Sequence, residues 1–226
     1  MPYQISLRAK PREIHRASSK TSPAFARLIT LFAVRSMVIF ALLCAPWPRW
    51  TNVYGSCFRS VGNRVFHHEN AKAVIHFSPQ GGTQIHRFDT EIVLSNSTQR
   101  RAEGTFPARV IQLESRAIGW IPTALTIALV LGTPGALRRR LVAAIVALIM
   151  VNAFLVFTLS IWILHEANRA TELNLVHLGR LTETLVFGFH ETLVIHFGAG
   201  LLAAVFIWAL TSSRQFAETA RLLPEE

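Results

Sequence analysis

Four long runs of apolar residues dominate the chain and predict transmembrane helices. They cover residues 25–46, 118–137, 141–164 and 185–211. Each is long enough to cross a hydrocarbon core of about 30 Å, because an α-helix rises about 1.5 Å per residue. Only the basic turn 138–140 separates the second run from the third. The middle of the chain is therefore predicted to be a helical hairpin.

The region between the first two runs, residues 47–117, has the shorter patterns of a small water-exposed domain. Apolar residues recur every fourth position within 51–66, which predicts an amphipathic helix. Three short stretches at 73–77, 85–94 and 106–113 then read as strands separated by polar turns. We expect an antiparallel meander covered on one face by the helix. A domain this small buries little surface by itself, so it should pack against the membrane or a partner.

The remaining segments are polar. Residues 1–24 are basic with a single carboxylate, which predicts a disordered tail. Residues 165–184 carry apolar positions at helical spacing and predict an amphipathic connection, and residues 212–226 form a polar tail.

Positive charge in short segments fixes the expected topology, because such segments stay in the cytoplasm. The basic tail and Arg138-Arg139-Arg140 are the two basic clusters. If both are inside, both termini are cytoplasmic and 47–117 and 165–184 lie outside. Tryptophans near the ends of the apolar runs predict interfacial anchors. These are Trp47, Trp50, Trp120, Trp162 and Trp208.

The predicted fold class is therefore a membrane α-helical protein with four transmembrane helices, N-in/C-in, and an extracytoplasmic α+β domain between helices 1 and 2. Composition agrees, since 51% of the 226 residues are hydrophobic and only 16% are charged, against about 25% charged in soluble domains. The net charge of +10 could also indicate nucleic-acid binding. No nucleic-acid-binding motif accompanies it, so we expect no nucleic-acid partner.

The first apolar run admits other interpretations. Arg35 falls near its middle, where an arginine costs roughly 2.5–3.5 kcal/mol on the insertion scale. Its many apolar neighbours offset that cost, so the run can still cross a membrane. An uncleaved anchor is preferred over a cleaved signal peptide, because a cleavage site after Ala45 would have the large Leu43 before it and Pro46 directly after it. An organelle transit peptide and an upstream start-site error are further alternatives. Cys44 and Cys57 are expected to be free buried thiols, with a single disulfide as the alternative.

Polar groups inside the predicted spans form the candidate site, because such groups are costly in lipid. They are Arg35, Asn152, His190, Glu191 and His196. The helical rise places Arg35 level with His196 and deeper than Glu191, which Arg35 can reach by extending outward. A structural Arg35–Glu191 ion pair that lets two marginal spans pack is preferred, and a proton relay is the alternative.

Metal binding is not predicted. His190-Glu191 begins like the H-E-x-x-H zinc motif, but residue 194 is valine, and His190, Glu191 and His196 diverge around one helix. Four histidines of the outer domain match no ligand spacing and read as exposed side chains. They are His67, His68, His76 and His86.

The expected function is a non-enzymatic accessory or assembly subunit of an envelope complex in the bacterial inner membrane, without a cofactor. Its partners would be the lipid bilayer and a membrane protein or a second copy of the chain. No nucleophile, P-loop or dinucleotide motif occurs. The alternative is a membrane-embedded enzyme or proton-coupled carrier that uses Arg35, His190, Glu191 and His196.

Overall fold

The computed structural model describes residues 23–45, 50–67, 72–80, 88–99, 107–195 and 198–221. Within these residues the protein is mostly helical, with one three-stranded antiparallel sheet. The elements in chain order are α1 (Pro23–Cys44), α2 (Trp50–Phe66), β1 (Ala73–Pro79), β2 (Thr90–Asn96), β3 (Ala108–Leu113), α3 (Ile121–Gly132), α4 (Leu137–Arg169), α5 (Arg180–His190) and α6 (Ala199–Arg221). Single turns precede α3 (Arg116–Trp120, π-helical), follow α4 (Thr171–Leu173, 3₁₀) and follow α5 (Glu191–Ile195, π-helical).

Two of the described helices, α1 and α4, are long and apolar enough to cross a membrane. The pair formed by α5 with its π-helical turn and α6 is a third candidate, bent by 85°. The predicted run 185–211 is thus divided between two helices. The predicted run 118–137 is a shorter apolar helix, Arg116–Gly132, since Pro134 disfavours helical geometry at the residue before it. These helices agree with a membrane location.

Helix α3 packs against α1, α4 and α6 and is the central helix of the bundle. A Cβ atom on Gly132 would overlap the Ser36 hydroxyl of α1, so only glycine permits this approach. The Trp208 indole N–H donates a hydrogen bond to the Thr133 hydroxyl at 2.9 Å, and the Phe32 ring stacks on Trp208. Small residues and interhelical hydrogen bonds are typical of helix packing in lipid.

The sheet confirms the predicted antiparallel meander, with strand order β1-β2-β3. Its register places Phe77 opposite Ile92 and Ile92 opposite Ile111. Alternate residues of each strand face one side and are buried there. They are Phe77, Thr90, Ile92, Leu94, Asn96, Ile111 and Leu113. This side packs on Phe58 and Phe66 of α2 and on the outer part of α4. The strand predicted at 85–94 runs Thr90–Asn96, and residues 81–87 lie outside the described ranges.

Helix α4 belongs to both the helical bundle and the domain formed by α2 and the sheet, which is called the outer domain after its predicted position. Its 33 residues span about 50 Å, well beyond a core of about 30 Å. Every fourth residue along it is buried, in the order Ala143, Ala147, Val151, Leu155, Leu159, Ile163 and Ala167. The direction of this row turns by about 40° per step, so it faces different neighbours at its two ends. The connection predicted at 165–184 therefore begins as helix, and α5 begins at Arg180.

Hydrogen bonds fasten the outer end of α1 to the start of α3. Arg116 donates to the Cys44 carbonyl at 2.7 Å, and the Trp120 indole donates to the Leu43 carbonyl at 3.0 Å. These bonds satisfy carbonyls that the helix end leaves unpaired. Both cysteines are free thiols, but neither is fully buried as predicted, since Cys44 is half-buried and Cys57 is exposed.

Candidate functional site

Two buried histidines meet where the outer end of α4 lies against α5. The imidazole rings of His165 and His190 stack, with centroids 3.9 Å apart and planes inclined by 13°. Each residue is only 8% exposed. Buried polar rings require polar partners, so this contact between two histidines is a candidate functional site.

Glu166 completes a cluster of three metal-ligating side chains. One ligand atom from each of His165, Glu166 and His190 lies within 4.8 Å of the others. The Glu166 carboxylate also accepts a hydrogen bond at 3.1 Å from Nε of Arg109 on β3, and Nη2 of the same guanidinium forms an ion pair with it at 3.1 Å. The cluster thereby joins two helices and an edge strand.

Aromatic contacts hold α5 against α4 at this point. The Phe187 ring lies 6.1 Å from His165, and the Phe189 ring meets Phe157 edge-on at 5.9 Å. His190 is the last residue of α5 before the π-helical turn begins at Glu191. Such turns are frequent at functional sites, because the wider helix redirects side chains.

Charged groups of both signs surround the two rings. Glu191 and Arg169 both interact electrostatically with His165 and His190. Two imidazoles and one carboxylate can bind a divalent metal ion or exchange protons.

The predicted polar cluster is only partly assembled. His190 and Glu191 lie at the site, whereas Arg35 is exposed on α1, which packs against α3. Asn152 is exposed on α4 and donates to the Leu148 carbonyl of its own helix at 2.7 Å. The Arg35–Glu191 ion pair stays a prediction.

Several predicted features fall outside the described residues: His68, His86, His196, Trp47 and most of the basic tail. His67 and His76 are exposed. Trp120 and Trp162 lie at the sheet end of the bundle, beside Leu43 and the outer core. Trp208 lies towards the basic turn, next to Thr133.

The arginines of the basic turn have different roles. Arg140 donates to the carbonyls of Gly135 and Leu131, which caps the end of α3. Arg139 pairs with Glu218 of α6 at 3.0 Å. Arg138 is exposed.

His165 and Glu166 were not predicted from the sequence. The available signal was a repeated dipeptide, because His-Glu occurs at 68–69, 165–166 and 190–191. Repetition alone does not show which two copies meet. Comparison with protein-family models, with curated proteins and with solved structures finds no match for this chain.

Proposed function

We propose that the protein is a non-enzymatic accessory or assembly subunit of a bacterial inner-membrane complex. In this proposal it binds a transmembrane helix of a partner protein through the face of α1 that carries Arg35. The observation that carries the proposal is the exposure of Arg35 in the middle of an apolar helix.

Among the described residues, helix α1 joins the bundle through one side and exposes the other. Ser36 is buried against Gly132, and Phe32 contacts Trp208. The opposite side forms a continuous apolar stripe around Arg35. Its members Leu31, Val34, Val38 and Leu42 are 46–58% exposed.

The depth of Arg35 makes this stripe different from an ordinary lipid-facing surface. Arg35 lies 9 residues from Cys44 and 12 residues from Pro23, or about 14 and 18 Å from the two ends of α1. An unpaired guanidinium at that depth costs roughly 2.5–3.5 kcal/mol on the insertion scale. A carboxylate at the same depth on a partner helix would offset this cost.

Charge complementarity also favours a different protein over a second copy of the chain. A two-fold symmetric contact places the same surface on both sides, so Arg35 would face Arg35. Like charges in lipid repel strongly because the dielectric constant is low. The proposed occupant is therefore an apolar helix with one acidic residue.

The proposal includes four crossings with both termini in the cytoplasm, formed by α1, α3, α4 and α6. Two observations support α6 as the fourth crossing. At its start, a Cβ atom on Gly200 would contact Pro122, near the outer end of α3. Near its end, Glu218 pairs with Arg139 of the basic turn. Helix α5 then lies along the outer part of α4.

Cysteine labelling tests this topology. In a Cys44→Ser, Cys57→Ser background, single cysteines replace Thr98 in the outer domain or Ser213 near the end of α6, both exposed. A membrane-impermeant maleimide should label position 98 in intact cells and position 213 only after permeabilisation. The reverse pattern would overturn N-in/C-in.

Photo-crosslinking in native membranes tests the partner. Crosslinker side chains replace Val34 or Val38 beside Arg35, or Ile149 on the exposed side of α4 as the control. Positions 34 and 38 should capture one and the same protein, and position 149 should not. Arg35→Leu should abolish the product, whereas Arg35→Lys should retain it because the charge remains.

The partner's own sequence completes the test. It must carry an acidic residue in a predicted span, and exchanging that residue with Arg35 should restore a crosslink that either single exchange loses. Equal crosslinking from position 149, a product that is only a dimer of this chain, or insensitivity to Arg35→Leu would each overturn the proposal.

A further inference from the structure

We propose that His165, Glu166 and His190 form a binding site for a divalent transition-metal ion, with Zn²⁺ as the best match. The site lies on α4 and α5 and does not involve the Arg35 face of α1. It therefore stands or falls independently of the partner proposed above.

The donor set supports this assignment. Imidazole nitrogen suits Zn²⁺, Cu²⁺, Fe²⁺ and Ni²⁺, whereas Mg²⁺ and Ca²⁺ prefer oxygen ligands. Two histidines and one carboxylate also form the ligand set of zinc sites that keep a fourth position open. The three ligand atoms already lie within 4.8 Å of one another, and ligands about 2.0–2.1 Å from one ion lie closer than that.

Only a small rearrangement separates the described geometry from coordination. The rings are nearly parallel, and a ring nitrogen binds a metal in the plane of its ring. Rotation of one imidazole about its side-chain torsions would turn both nitrogens towards a common point. The side chain of Glu166 is 13% exposed and directly follows His165 on the same helix, with one oxygen held by Arg109.

The surroundings resemble the supporting groups of metal sites. Arg109 holds one oxygen of Glu166 through a hydrogen bond from Nε and an ion-pair contact from Nη2, and neither contact uses the other oxygen. Ligating carboxylates are usually oriented in this way by outer partners. Glu191 adds a second negative charge near both rings, and Arg169 adds a positive charge there, so the two carboxylates must offset that arginine when a cation binds.

The position of the site suits an ion that arrives from the aqueous phase outside. His165 lies 24 residues beyond Leu141, or about 36 Å along α4. That distance exceeds the thickness of the hydrocarbon core. Bound metal would connect α5 to α4 and, through Glu166 and Arg109, to β3.

Equilibrium dialysis of the full-length protein in mild detergent tests the site. The protein is stripped with a chelator, dialysed against Zn²⁺ and assayed for metal by mass spectrometry, and affinity follows from competition with a chromogenic chelator. We expect one tightly bound Zn²⁺ per chain. His165→Phe and His190→Phe keep an aromatic ring for packing but remove the ligand nitrogens.

Each of these two variants should weaken Zn²⁺ binding by on the order of 100-fold or more, since even loss of an outer partner costs about 10–100-fold. Arg109→Gln should cost about 10-fold for that reason. His177→Ala is the control, because this exposed histidine bonds to Asn174 away from the cluster. Zn²⁺ should also raise the Tm of the wild type and the control, but not that of the ligand variants.

Absence of a tight Zn²⁺ equivalent in the wild type would overturn the proposal. Undiminished binding by both phenylalanine variants would do so as well, since the ion would then sit on other histidines. Size-exclusion profiles that match the wild type would show that a loss of binding is not a loss of fold.

Discussion

The two ends of α4 lie in different packing environments within one continuous helix. Towards the basic turn, Ala143, Ala147 and Val151 pack against α3 and α6 together with Val130 and Ile207. Towards the outer domain, the same row continues with Leu159 and Ile163, which pack on large side chains of the sheet.

The difference follows from the solvent expected around each end. Lipid provides no hydrophobic drive for helix association, so close backbone approach and dispersion contacts must stabilise the bundle, and small residues permit both. Around the outer domain, water makes burial of large apolar surface favourable, at about 25 cal/mol per Å². The buried row of this one helix therefore changes from Ala143 and Ala147 near the basic turn to Leu159 and Ile163 against the sheet, before it closes on Ala167.

The largest loss of stability is expected from a substitution at the end of α4 that packs on the sheet. Leu159→Ala should lower the free energy of unfolding by about 2–5 kcal/mol, because it leaves a cavity beneath the sheet. Tryptophan fluorescence during thermal unfolding in mild detergent provides the measurement. Leu202→Ala is the matched control, since Leu202 is 73% exposed. Equal losses in both variants would contradict the burial of Leu159 beneath the sheet.

The second largest loss of stability should come from overpacking at the end of α4 near the basic turn. Ala147 is 1% exposed, so Ala147→Leu should force α3 and α6 away from α4 and cost about 1–3 kcal/mol. The exposed Ala153 on the same helix provides the control Ala153→Leu. If Ala147→Leu stabilises the protein, the small residues of the row are not there for close packing.

The contact between α1 and α3 should show a smaller effect. Gly132→Ala meets both the side chain and the backbone of Ser36, so we expect a net loss of about 1 kcal/mol after the gain in helix propensity. Gly188→Ala in α5 has nothing within 4 Å of the new Cβ. That control should be neutral or stabilising by up to about 1 kcal/mol. The same unfolding assay compares the two.

The smallest effect should come from the ion pair at the basic turn. Arg139 and Glu218 have side chains 67% and 62% exposed, so Arg139→Gln should cost less than about 1 kcal/mol. The loss should shrink further at high salt, because exposed charges are screened. A larger, salt-insensitive loss in detergent would mean that the pair is buried against another group.

Local periodicity explains what could be anticipated from the residues alone. The meander was predictable because alternate burial, as in Ile92 and Leu94, has a two-residue period that any half-covered strand must show. Helix α2 was predictable for the same reason, from its fourth-residue spacing. However, the pattern did not reveal which side packs on the sheet. Phe58 and Phe66 do so, while Val53 and Val61 remain exposed.

The candidate site could not be found in this way. His165 and His190 are 25 positions apart, and nothing local shows that α5 runs back along α4. The polar end of α4 was assigned to a connection because residues such as Glu166 and Arg169 are unfavourable in lipid. This end of α4 is nevertheless helical, because it extends past the length of a membrane span and packs there against the sheet and α5.

The apolar runs, the basic turn and the alternating strands could therefore be predicted from residue order alone, since each is a property of neighbouring residues and their solvent. Contacts within the folded chain establish where α4 ends, where the last apolar run breaks and which histidines meet. Those features depend on contacts between segments distant in the chain. The free energies of such long-range contacts cannot be inferred from the periodicity of neighbouring residues.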